Sequence, residues 1–163
     1  MPKKLVVSVK YTIIFALILV VLVGCSSVQT KMYENKKFSY SIKVPIAWGL
    51  NETLVEDTLL SDPSRKAFAE IRIEPTEFTD KQDFFREVAH TLDQSYKLMY
   101  ITTNPDRIKA SYVYNDRGLS LIANQLVILH DKKVYQVYCS YQFVDAKLYK
   151  DLCSKVLDSF QIN

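Results

Sequence analysis

Apolar and polar side chains alternate along much of this chain, and the alternation marks its strands. Phe38, Tyr40, Ile42 and Val44 alternate with Ser39, Ser41 and Lys43, the period of two that a strand with one buried face requires. Pro45 closes the run and Trp48 follows. The pattern returns at Ala67, Ala69, Ile71 and Ile73, set against Phe68, Glu70, Arg72 and Glu74 and closed by Pro75. The stretch between, 51–66, is polar and holds either a weak strand near Thr58 to Leu60 or a loop.

A helical period begins at Thr79 or Asp80, either of which can cap a helix. Asp83 sits in the first turn, and Phe84, Phe85, Val88, Leu92, Tyr96 and Met99 recur at helical spacing, which predicts an amphipathic helix with a sheet to cover. Beyond Asn104 and Pro105 the alternation predicts three strands, 107–115, 119–130 and 133–143. Their connections are rich in turn residues and too short for a crossover helix, so they are hairpins and the sheet is largely antiparallel.

In the middle strand Leu119, Leu121, Ala123, Val127 and Leu129 point one way, and Ile122, Leu126 and Ile128 the other. A strand apolar on both faces is covered on both. The central helix is one cover; the other is a last helix over 145–160 with Tyr149, Leu152, Cys153, Val156 and Phe160 as its stripe. The expected class is α+β, a three-layer α/β/α sandwich around a mainly antiparallel sheet. Cys139 lies about 13 Å from the end of its strand and Cys153 about 12 Å into the helix, so the two are level. A helix on a sheet keeps its near backbone about 7 to 8 Å away, whereas a disulfide wants its Cα atoms within about 7 Å. That spacing favours two buried thiols acting as small apolar residues and leaves the disulfide open.

The opening YENKKFSYSIKVPIAW, the single central helix, the three-strand meander and a last helix ending VLDSF resemble the PsbP-like family and the bacterial lipoproteins that share its fold. The resemblance runs from about Tyr33 to Ile162 and is strongest at the strand leading into Pro45 and Trp48 and at Asp158-Ser159-Phe160. It implies a fold whose members mostly bind other proteins or assist membrane assemblies without known catalysis. Function within the fold varies too widely to carry over.

The N-terminus changes the picture. Lys3, Lys4 and Lys10 precede an uncharged run that ends Leu22-Val23-Gly24-Cys25, a basic start, short apolar region and small-residue cleavage site. The run is shorter than the roughly 18 to 20 residues of a committed spanning helix. Its last four residues resemble a lipobox, which implies a diacylglyceryl group, with chains such as palmitate, on Cys25, and cleavage ahead of it. The expected division is a signal peptide over 1–24, a lipid anchor and short linker over 25–32, and one domain over 33–163. At about 3.5 Å per residue the linker holds the domain within roughly 30 Å of the lipid surface. Ser26 stands where an Asp would retain a lipoprotein at the inner membrane. The expected location is therefore the outer membrane where there is one, and otherwise the outer face of the cytoplasmic membrane.

Three of the 21 Lys and Arg lie in that signal and none of the 18 Asp and Glu. The remainder carries 18 of each and a formal charge near zero, without the positive field that favours nucleic acid. The expected partners are the membrane, through lipidated Cys25, and an envelope protein, with no nucleic acid. Past the signal only Gly49 and Gly118 remain, too few for a phosphate-cradling loop. His90 and His130 have no second ligand at metal spacing and no nucleophile elbow to serve. Glu70, Glu74, Glu77 and Asp80 lack the spacing of a calcium loop. No catalytic residue, metal or cofactor is expected, and a small-ligand or metal-binding lipoprotein and an envelope hydrolase stand as the rival classes.

The excess is aromatic: eleven tyrosines, many near the meander. Tyr135, Val137, Cys139, Tyr141 and Phe143 read as core. Tyr138, with Tyr112 and Tyr114 on the neighbouring strand, reads as an exposed aromatic patch, because a ring with a polar tip suits an interface.

Overall fold

The computed structural model describes residues 28–52 and 57–163; the segment 1–24, Cys25 and Ser26 lie outside them. In chain order come β1 (Thr30–Asn35), β2 (Tyr40–Pro45), β3 (Gly49–Glu52), β4 (Asp57–Ser61), β5 (Ala67–Pro75), α1 (Lys81–Ser95) and β6 (Lys97–Asn104). There follow β7 (Arg107–Asp116), β8 (Leu119–His130), β9 (Lys133–Gln142), a 3-10 turn (Phe143–Asp145), α2 (Ala146–Asp158) and β10 (Gln161–Ile162). Seven strands form one sheet in the order β3-β4-β5-β9-β8-β7-β6, and β1-β2-β10 form a second. Every pairing among the described strands is antiparallel.

The large sheet is the middle layer of a mixed α+β fold. On one face α2 and the small sheet enclose Ile71, Ile122, Leu126, Val137 and Cys139 together with Ile42, Trp48, Val156 and Phe160. On the other, α1 packs Phe84, Phe85 and Leu92 against Ile108, Ala110, Val127 and Leu129. The two-sided apolar pattern of β8 is thus matched by two cores, with Ile122 and Leu126 in one and Ala123, Val127 and Leu129 in the other. Both flanking hairpins turn through residues at positive φ: Arg117 and Gly118 before β8, Asp131 and Lys132 before β9, as a two-residue hairpin turn requires.

Several elements depart from the sequence pattern. The central helix stops at Ser95, and Tyr96 and Met99 belong to its cap and to a strand. The segment after Ser95 is rich in Tyr, Ile and Thr, and pairing with β7 satisfies its backbone. β1 starts at Thr30, inside the stretch expected to be linker, because Thr30, Lys31 and Met32 find partners in Pro45, Val44 and Lys43. Phe143, expected in the core, is 53% exposed in the turn that leads into α2.

Cys139 and Cys153 are joined as a disulfide, with Cα atoms 5.3 Å apart. Ala69 lies across from Cys139 and Ala67 across from Tyr141, both fully buried on the α2 face. Small residues at the contact let the helix lie closer than the separation assumed from the sequence.

Candidate functional site

On the large sheet α1 packs over β7, β8 and the start of β9 at Val134, and it leaves β5 and the rest of β9 open on that face. Register explains what that opening looks like. Phe68, Ser140, Ala123 and Tyr112 lie in one cross-strand row, and Glu70, Tyr138, Gln125 and Ala110 in the next. Ser140 and Ala123 are small, so the row dips between Phe68 and Tyr112 and forms the floor of a hollow of about 290 Å³. A second hollow of about 290 Å³ adjoins it under α1, reaching Phe84, Val88 and Leu92, and both share Tyr96, Tyr112 and Tyr138.

Tyr96 stacks on Tyr112 with ring centroids 4.3 Å apart and planes 20° from parallel, and its outer face looks to solvent at 41% exposure. The end of α1 at Ser95 is what puts it there. Behind the rings lies a closed set of hydrogen bonds. The Gln125 amide donates to Tyr138 Oη at 3.0 Å and to Gln136 Oε1 at 3.3 Å. Tyr138 Oη donates to Gln136 Oε1, and Tyr112 Oη donates to Gln125 Oε1 at 3.3 Å. Gln125 is buried, so these bonds also meet the cost of placing an amide inside the protein. At the open end the Arg72 guanidinium lies 5.6 Å from the centroid of Tyr138 and is bridged to Glu70 at 2.8 Å.

The phenols are held neutral. Burial pushes Tyr138 up to about 12 against the opposing pull of Arg72, and burial first, then Tyr138 and Tyr96, raises Tyr112 further still. Tyr114 is raised by burial as well, in part offset by a hydrogen bond with Ser140. Groups in this state donate and accept hydrogen bonds and stack; they do not serve as bases near neutral pH.

The three tyrosines singled out in the sequence do meet, but as the half-buried wall of a groove: Tyr112 is buried, and Tyr114 and Tyr138 are partly so. The expected exposed patch is corrected to that extent, because α1 and Tyr96 lie over them. Tyr96, Gln125 and Gln136 were missed. Gln125 interrupts the apolar alternation of β8 on the α1 face, and that break was the available signal; the same face of β9 is mixed, with Ser140 and Gln142 beside Gln136, and offered none. His90 lies exposed on α1, and His130 is 3.3 Å from Asp131 in a hairpin. Asp80 caps α1, accepting from the backbone of Gln82 and Asp83. Among the described residues no three His, Cys, Asp or Glu side chains gather at metal-binding distance.

No family model matches the chain, and no curated protein matches its sequence. Solved structures do match in shape. Cyanobacterial PsbP (CyanoP) of Synechocystis aligns over 86% of this chain and 96% of its own, with a TM-score of 0.56 at 14% identity. A Bacteroides thetaiotaomicron protein aligns over 83% of this chain with a TM-score of 0.58 at 14% identity, and this chain spans about half of it, 49%. A Pseudomonas aeruginosa protein aligns over 76% of this chain and 90% of its own, with a TM-score of 0.50 at 13% identity. The fold is PsbP-like.

Proposed function

We propose that this chain is a lipoprotein, anchored through Cys25, whose domain is a non-catalytic accessory module that binds an envelope protein in the tyrosine groove. The groove carries the reading: a stacked pair of rings and a third tyrosine, backed by a self-satisfied amide and phenol network, open beside a neutralised Arg72–Glu70 pair. Its polar atoms are largely occupied by one another, so an incoming group gains apolar and stacking contact at little cost in stranded hydrogen bonds. The two hollows share Tyr96, Tyr112 and Tyr138 and form one groove that is open along its length, whereas a small-molecule pocket encloses most of its ligand. The openness favours a protruding side chain of a partner over a free small molecule. The Cys139–Cys153 bond supports an oxidising compartment, and the N-terminal pattern supports the anchor.

The test is photo-crosslinking in cells from position 96, replaced by a photoreactive phenylalanine. The expected result is a discrete adduct that is lost with Cys25→Ala and absent when the same probe stands at His90 on the far side of α1. Adducts that are the same from both positions, or none above background, would remove the groove as the contact face.

A further inference from the structure

The opposite face of the molecule carries a different exposed set, and it lies where the chain comes in. Val144 in the turn before α2 is 84% exposed, Leu148 one helical turn on is 69%, Phe143 is 53%, and Val28 is 57%. Val28 and Leu148 line one shallow hollow, with Lys43, Lys155 and a single acidic residue, Asp151, at its margin. Ile46, 52% exposed, donates its backbone N–H to Gln29, which places a further apolar side chain at the same end. Valine and leucine this exposed are ordinary when scattered; gathered at one end of one face they mark an interaction surface. Lys147 and Lys150 are exposed on α2 beside them.

The chain outside the described residues decides what covers this end. Three residue steps separate Cys25 from Val28, a reach of about 10 Å when extended. A lipid on Cys25 therefore holds Val28, and with it Leu148, at the bilayer. We infer that the turn before α2, with Phe143 and Val144, and the first turn of α2, with Leu148, rest on the membrane surface, their apolar side chains at the level of the headgroups and Lys147 and Lys150 toward anionic lipid. The tyrosine groove lies on the other face of the large sheet and is thereby turned away from the membrane. This inference rests on the anchored reading above.

The test uses the full-length protein, purified after expression in cells that process lipoproteins and reconstituted in phosphatidylethanolamine and phosphatidylglycerol vesicles. An environment-sensitive fluorophore is placed at Leu148→Cys, at Val144→Cys, or at His90→Cys as the control on the outer side of α1, across the large sheet from α2. Flotation and the mass of the N-terminal peptide report the anchor; fluorophore emission and quenching by spin-labelled lipid report the face. The expected result is a lipidated, floating protein whose labels at 144 and 148 shift to the blue and are quenched severalfold more than the label at 90. A lipidated, floating protein in which the three labels behave alike would overturn the inference and leave the anchor standing. A Cys25 without lipid would overturn the anchored reading and this inference with it.

Discussion

Tyr138 lies at the meeting of the groove's stacking and hydrogen-bonding parts, and its acidity makes the arrangement measurable. A free phenol titrates near pH 10, whereas burial pushes this one up to about 12. The folded state therefore holds its proton where the unfolded state has released it. The contribution to stability is complete below about pH 10 and is lost as pH rises from there through about 12. Replacing Tyr138 with Phe should flatten the fall of the urea midpoint over that range, and phenolate absorbance should show one tyrosine fewer among those that ionise above the ordinary range. An unchanged slope would mean that the hydroxyl is solvated.

A second residue-scale feature is the turn into β9, where Asp131 and Lys132 stand at φ of 47° and 57°. A side chain in the left-handed region costs about 1 kcal/mol, which glycine avoids. Lys132→Gly should therefore raise stability by up to about 1 kcal/mol, offset in part by a freer unfolded chain. Thermal unfolding checks the sign.

At the scale of elements, what could be read in advance was whatever repeats along the chain. The hairpins from Arg107 onward and the cap at Asp80 were legible because alternation and capping are local. β1 and β6 were not: the first is polar, the second carries apolar residues that also fit a helix, and each exists because a neighbouring strand satisfies its backbone. The pairing of Cys139 with Cys153 was undecided for a similar reason, since the helix-to-sheet distance depends on Ala67 and Ala69 from a distant strand. That bond closes a loop of sequence separation 14, for which chain entropy gives about 3 kcal/mol. The double variant Cys139→Ala and Cys153→Ala should lose about 2 to 3 kcal/mol by urea unfolding. The wild type should lose as much in reductant and the variant nothing more; reductant without effect on the wild type would mean that the bond is absent or idle.

For the molecule as a whole, the order of the large sheet sets where stability is concentrated. β8 has a paired strand on each side and a core on each face, with nine of its twelve residues buried or partly buried from Leu121 through Leu129. β6 is the last strand, exposed along nearly its whole length, with a register break at Leu98 and Tyr100. Such a bulge on an edge also discourages pairing with another chain. Amides open in cooperative units whose cost rises with buried contact, so hydrogen exchange should be slowest in β8 and β9 and faster by several orders of magnitude in β6. Reduction of the disulfide should narrow the gap by releasing α2 from β9, while leaving β6 where it was. If β6 exchanged as slowly as β8 in the isolated protein, something would have to cover that edge, and self-association through it would be the first cause to test by repeating the exchange on dilution.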